Sequence, residues 1–191
     1  MPNDHVAASP KMDATIHPTP PEIAGLSLEE IARRYAARFR DRTADWDAFA
    51  DARVEGYRRA QHRFIGAGAS GKVEDENVIP PRAFTLSVMY VPPGQGNAPH
   101  THEVEEVFFV LQGYLNVFLM DESGQRVDIG LGPWECVFCP PGVIRGYVND
   151  SLEPVYFQVM LGSARPDLMG YAQPELQQQR DVHLKNRSAL R

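Results

Sequence analysis

The sequence predicts an all-β fold with helical decoration at its N-terminus. Its 191 residues include 15 glycines and 16 prolines, a composition that favours turns and short strands over long helices. From Pro81 onward, short apolar stretches alternate with turn residues at regular intervals, which is typical of a closed antiparallel sandwich or barrel. The length fits one domain with a flanking arm.

The N-terminal third divides into two predicted segments. Residues 1–25 contain five prolines and few bulky residues, which predicts an extended arm. Residues 26–80 predict a helical extension. Ser27 and Glu30 have the spacing of a capping box before a first helix, and the apolar residues over Asp45 to Arg63 predict a second.

Residues 81–165 predict the barrel. Its expected strands are Ala83 to Val91, Glu106 to Leu111, Tyr114 to Met120, Arg126 to Leu131, Glu135 to Cys139, Ile144 to Asn149 and Pro154 to Leu161. Glycine- and proline-containing turns separate them. The polar tail, residues 166–191, is expected to pack weakly, with a helix as one option.

The charge balance excludes several classes of partner. The chain carries 25 acidic and 19 basic residues, so neither nucleic acid nor an anionic membrane surface would attract it. No apolar run approaches the ~20 residues that span a bilayer, and the N-terminus lacks the pattern of a signal peptide. With two cysteines, a disulfide framework is not expected. We therefore expect a cytoplasmic protein that binds a small molecule.

The segment APHTHEVEE contains the densest group of metal-ligand residues. His100 and His102 project from one face of a strand, and Glu106 has the same parity. A straight strand would place Glu106 about 13 Å from His102, so the chain must bend between Glu103 and Glu105 if all three are to meet. Two imidazoles and one carboxylate would suit Fe(II), Mn(II) or Zn(II) and leave positions open for substrate. An exposed polar loop is the alternative.

The pattern Gly94-x5-His100-x-His102-x3-Glu106-x6-Gly113 resembles the first motif of the cupin superfamily. With its flanking strands, the resemblance covers residues 82–162. It implies a jelly-roll barrel in which His100, His102 and Glu106 bind a divalent metal ion. Fe(II) is the first choice, and Mn(II), Zn(II) or Ni(II) are alternatives. Many cupins pair, so a homodimer is expected.

The second cupin motif is only partly present. Pro140-Pro141-Gly142 and Asn149 match, but Arg145 occupies the position of the usual third histidine. Because a guanidinium has no free lone pair, Arg145 cannot be a ligand. It could pair with a surface carboxylate, replace the charge of a lost metal ion, or anchor an anionic substrate. We favour the last, with Tyr147 lining the same cavity.

Three further groups of residues carry weaker signals. Glu103 and Glu105 could relay protons or form a solvated turn. His62 or His183 could complete the metal shell. Cys136 and Cys139 face opposite sides of a strand and are expected to be small buried residues.

These residues predict a metal-dependent enzyme, most simply an Fe(II) dioxygenase for a small organic substrate. A metal-dependent lyase or isomerase is the first alternative. A cupin that binds a small molecule without catalysis is the second.

Overall fold

The first helix forms where the capping box predicts it. In the computed structural model, which describes the backbone of residues 17–188 and side chains as far as residue 182, α1 spans Leu28–Tyr35. The Glu30 N–H donates to Ser27 Oγ at 3.1 Å, and the Ser27 N–H donates to Glu30 Oε2 at 2.9 Å. The chain divides after Tyr35 into two units, and α1 belongs to the first. Most of the predicted arm, residues 1–16, lies outside the described residues.

Over its described residues, 36–188, the second unit contains ten strands and one further α-helix. The strands are β1 (Ala60–Ile65), β2 (Thr85–Val91), β3 (His100–Thr101), β4 (Glu106–Gln112), β5 (Leu115–Met120), β6 (Arg126–Leu131), β7 (Cys136–Cys139), β8 (Ile144–Val148), β9 (Val155–Leu161) and β10 (Gly170–Tyr171). The helix α2 spans Pro174–Ser188. All seven predicted strands are present, and their ends agree to within two residues.

The predicted helix over Asp45 to Arg63 is wrong. This segment contains a short 3-10 turn, Ala50–Arg53, and the first residues of β1. β1 pairs antiparallel with β2, with Ala60 opposite Tyr90. The hydrogen bonds and burial that β2 offers outweigh the helical spacing of the apolar residues. The sheet therefore begins about twenty residues earlier than the sequence analysis placed it.

Two five-stranded sheets enclose the core. Their strand orders are β1-β2-β9-β4-β7 and β10-β3-β8-β5-β6, and the pairs between these strands are antiparallel. The largest group of buried apolar residues comes from both sheets. At its centre the rings of Phe108, Tyr147 and Phe157 meet edge to face, with centroids 4.8–5.5 Å apart. The fold is the all-β jelly roll that the sequence predicts.

The C-terminal tail packs more firmly than expected. Leu176 on α2 is buried against the same apolar group as Met169 and Tyr171, and Gln177 accepts a hydrogen bond from the Tyr171 N–H. None of the helices in residues 17–188 is long and apolar enough to cross a membrane.

Candidate metal centre

A bend between the two sheets brings the three predicted ligands together. His100 lies on β3, opposite Arg145 of β8. Glu106 begins β4 in the other sheet, opposite Leu161 of β9. The bend falls at residues 103–104, inside the interval that the sequence requires. Convergence therefore depends on the chain crossing from one sheet to the other within four residues.

The geometry of the three side chains fits a metal ion. His100 Nε2 lies 3.7 Å from Glu106 Oε2, and His102 Nε2 lies 3.6 Å from Glu106 Oε1. One donor atom from each residue lies within 4.8 Å of the others. Metal–ligand bonds of roughly 2.0–2.2 Å would place the donor atoms about 3.0–3.5 Å apart, so the two His–Glu distances would shorten by a few tenths of an ångström on binding and any wider spacing by more. Within the described part of the chain, no other group of three or more His, Cys, Asp or Glu side chains meets this test.

The protonation of the histidines suits ligation. All three residues are buried, and burial lowers the pKa of His102 to about 3, with His100 and Arg145 acting in the same direction and Glu106 opposing them. His102 is therefore neutral at physiological pH. His100 Nδ1 lies 3.0 Å from the Ala98 carbonyl oxygen. A proton on Nδ1 would be donated to that oxygen and leave the Nε2 lone pair free to bind.

The amide of Asn97 contacts the same histidine nitrogen. Asn97 Oδ1 accepts the Tyr147 N–H at 2.8 Å, which directs its Nδ2 to within 3.2 Å of His100 Nδ1. The other neutral tautomer of His100, with the proton on Nε2, therefore also has a partner: Asn97 would donate to Nδ1. The site can thus hold His100 in either neutral form.

Arg145 reaches the site through Glu106. Its Nε donates to Glu106 Oε2 at 3.0 Å, and both residues are buried. Nη1 donates to the Val143 and Pro140 carbonyl oxygens at 2.8 and 3.4 Å, and Nη2 to that of Val104 at 3.4 Å. Burial alone would raise the pKa of Glu106, but His102, His100 and Arg145 together outweigh it and hold the pKa below its usual range. Glu106 is therefore a carboxylate.

A cavity of about 30 Å³ adjoins the three candidate ligands, and we call it the inner cavity. This volume suits one or two water molecules. Its polar wall is formed by Arg59, Gln61, Thr85, Ser87, Asn97 and Tyr147. Tyr147 is one of the described lining residues of this cavity, whereas Arg145 is not.

Sequence reasoning missed Arg59. This side chain is buried beside β1, a segment interpreted as helix, and the alternation of Arg59, Gln61 and Arg63 would have been its signal. Burial raises the pKa of Tyr147, which keeps its phenol protonated, while the neighbouring Arg59 guanidinium opposes this shift. Nothing in the sequence near the motif indicates that Arg59 joins the site.

The other candidate residues lie apart from the centre. His62 stacks on Phe39 with ring centroids 4.6 Å apart, and its Nδ1 contacts the Val88 carbonyl oxygen. Its neighbour Gln61, of opposite parity on β1, faces the inner cavity. His62 therefore does not complete the metal shell. The side chain of His183 lies outside the described residues.

Glu103 and Glu105, the two glutamates considered as proton relays, both accept hydrogen bonds at the bend. Glu103 Oε1 accepts the Asp167 N–H at 2.7 Å, and the Glu105 carbonyl oxygen accepts the Gly162 N–H at 3.1 Å. Both contacts tie the bend to the segment that follows β9.

The prediction for the two cysteines is half right. Cys136 and Cys139 face opposite sides of β7, but only Cys139 is buried and Cys136 is exposed. Of the four residues of β7, Cys139 is the buried one.

Comparison with known proteins agrees with this fold. A comparison with curated protein sequences gives no match. Among solved structures, the polyketide cyclase RemF from Streptomyces resistomycificus is 20% identical, over 75% of this chain and 89% of that chain, with a TM-score of 0.54. At this level of identity the likeness shows the fold alone.

Two further structures align over shorter regions. An oxalate oxidase in complex with glycolate is 22% identical, over 44% of this chain and 44% of that chain, with a TM-score of 0.41. Oxalate decarboxylase from Bacillus subtilis is 16% identical, over 67% of this chain and 29% of that chain, with a TM-score of 0.47. The chain thus spans less than half the length of either. Residues 87–161 match the family model of the cupin domain, so this chain contains a cupin domain.

Proposed function

We propose that this chain is a metal-dependent dioxygenase that acts on a small organic anion. It would hold one divalent ion, with Fe(II) as the first choice and Mn(II), Zn(II) or Ni(II) as alternatives. The observation that carries the proposal is the burial of His100, His102 and Glu106 with donor atoms within 4.8 Å of one another. Two imidazoles and a carboxylate on one side of an ion are the ligand set of non-haem Fe(II) oxygenases.

The residues around the centre have separate tasks in this proposal. When bound, Fe(II) supplies open coordination positions and one-electron chemistry with O2. Arg145 keeps Glu106 ionised and fixes the direction of its carboxylate through the 3.0 Å contact. Phe108 and Tyr147 are buried and line the inner cavity, and in this proposal they exclude bulk water from it. The Tyr147 phenol, which stays protonated, offers a hydrogen-bond donor to substrate.

One observation favours a second candidate function. The Arg145 guanidinium pairs with the Glu106 carboxylate. In a cupin that has lost its metal ion, such a pair would replace the positive charge of the ion beside this carboxylate. Such a chain would bind a small molecule without catalysis. A metal-dependent lyase or isomerase is a further alternative, because it would use the same ligands without O2.

The experiment is reconstitution under argon with Fe(II), followed by two measurements. Bound metal is counted by mass spectrometry, and oxygen uptake is recorded against short hydroxy and oxo carboxylates, hydroxy-ketones, β-diketones and catechols. We expect one ion per chain and substrate-dependent uptake. His100→Ala should lose both, whereas His62→Ala, a buried histidine outside the centre, should keep both.

Each other outcome selects one alternative. Bound metal with substrate loss but no oxygen uptake would indicate a lyase or isomerase. A chain that binds no ion after reconstitution would refute both enzyme proposals and favour the binding protein.

The cellular setting and the assembly remain proposals. Two free thiols, Cys136 and Cys139, suit the reducing cytoplasm. A homodimer is the assembly we propose.

A further inference from the structure

We propose that Arg59 is the residue that receives the negative charge of the substrate, and that the inner cavity therefore selects small carboxylates. This inference rests on the proposed function, because it names the class of substrate for the same site. It moves the role of anion anchor from Arg145 to an arginine on the opposite sheet.

Arg59 lines the inner cavity, and one of its hydrogen-bond donors has no acceptor among the described residues. The side chain is 1% exposed and lines the cavity together with the three candidate ligands. Its Nη1 donates to the Tyr57 carbonyl oxygen and its Nη2 to Asp51 Oδ1, both at 2.9 Å. Its Nε has no partner among the described residues. A buried N–H without an acceptor is costly, and an anionic ligand would satisfy it.

Arg145 is less suited to this task. Its Nε, Nη1 and Nη2 all donate to protein oxygens, one of them a carboxylate. A substrate could gain at most one further N–H bond from this guanidinium. The anion contact in the inner cavity therefore falls to Arg59.

In the metal-bound protein, the buried charges also favour an anion. Arg59 and Asp51 form one buried ion pair, and Arg145 and Glu106 form a second. The four charges cancel, so both positive charges of a divalent ion would be uncompensated inside the protein. Isolated buried charge is strongly unfavourable. One negative charge on the bound substrate would halve this imbalance, and two would remove it.

The size of the inner cavity limits the anion. A volume of about 30 Å³ suits a ligand of only a few heavy atoms. Phe49, Ala69 and Met169 line both this cavity and a larger groove of about 590 Å³. A longer carboxylate would need Phe49 or Met169 to move so that its tail could extend into that groove.

The test measures anion binding to the metal-free protein. Formate and acetate are titrated by calorimetry, with the neutral isosteres formamide and acetamide as controls. The Nε–H signals of the arginines are followed by ¹⁵N NMR. We expect formate and acetate to bind, their amides not to bind, and the Arg59 Nε–H signal, identified by its loss in Arg59→Lys, to shift on binding.

Charge-balanced variants separate anchoring from stability. Asp51→Asn/Arg59→Met removes a buried pair as a unit, and we expect it to weaken formate binding roughly tenfold or more, the effect of losing a hydrogen bond to a charged group. Asp45→Asn/Arg63→Met removes a partly buried Asp–Arg pair of this segment and should bind formate as the wild type does. If the first double variant does not fold, Arg59→Lys is used instead, with the same expected loss.

Three results would overturn the inference. They are wild-type affinity for formate in the folded Arg59 variants, equal binding of formamide, and loss of formate binding in Arg145→Lys alone. Metal is counted separately in the same proteins. A chain that binds formate through Arg59 but binds no ion would refute the proposed function and leave this inference standing.

Discussion

Replacing Arg145 with methionine tests how the buried carboxylate of Glu106 is held. Methionine fills much of the same space and removes the charge. Among the close polar contacts of Glu106 in the described residues, those with the two histidines, at 3.6 and 3.7 Å, would then remain. Removing one partner of a buried ion pair typically destabilises a protein by about 3–5 kcal/mol. The Val143 carbonyl oxygen also loses its donor at 2.8 Å. We therefore expect the free energy of unfolding of the metal-free variant to be about 3–5 kcal/mol lower than that of the wild type.

A divalent ion should reduce this deficit, because it supplies the positive charge that Glu106 has lost. The assay is urea unfolding of wild type and variant, first with a chelator and then with saturating Mn(II). We expect the deficit to fall by at least half with the ion, and the variant to bind the ion at least as tightly as the wild type. Arg63→Met, which breaks a partly buried ion pair outside the centre, should show a deficit that is the same with chelator and with Mn(II). An Arg145→Met deficit that does not change with metal would refute the reasoning.

Three further predictions concern the frame around the site. Phe157→Ala should lower the free energy of unfolding by about 3–5 kcal/mol, because this ring is fully buried in the main core; urea unfolding measures it, and a loss below 1 kcal/mol would contradict the packing described. Gly96→Ala should lower the melting temperature, because its Cβ would collide with the backbone of β8, and an unchanged value by calorimetry would contradict that close approach. Burial alone would raise the pKa of Asp45, but Arg63 and Lys72 outweigh it and lower the pKa from 3.8. The ionised carboxylate therefore stabilises the fold above pH 3.8. This stabilisation is lost as the pH falls through the lower pKa of the folded state. Asp45→Asn should therefore be about 1–3 kcal/mol less stable than wild type at pH 7, with the difference shrinking below pH 4 in unfolding curves; a constant difference would argue against the ion pairs.

The ligands could be predicted because their spacing is local. His100, His102 and Glu106 lie within seven residues, and the need for a bend between them follows from strand geometry alone. The buried alternation of Glu106, Phe108 and Val110 also follows from the period of a strand.

The rest of the site depends on contacts between distant segments. Arg145 was placed in the site, but its contact with Glu106 joins two different sheets and has no local signal. Arg59 reaches the inner cavity because β1 pairs with β2, about thirty residues later, whereas the local apolar spacing favoured a helix. Edge strands of this kind are decided by the partner strand and not by their own propensity.

The metal content of the protein after anaerobic loading with Fe(II) and removal of free ion tests the central claim most directly. We predict one ion per chain in the wild type, and none in Glu106→Gln, which has the same shape but lacks the charge of the third ligand. A wild-type chain that retains no ion, or a Glu106→Gln variant that retains as much as the wild type, would contradict the assignment of His100, His102 and Glu106 as a metal centre.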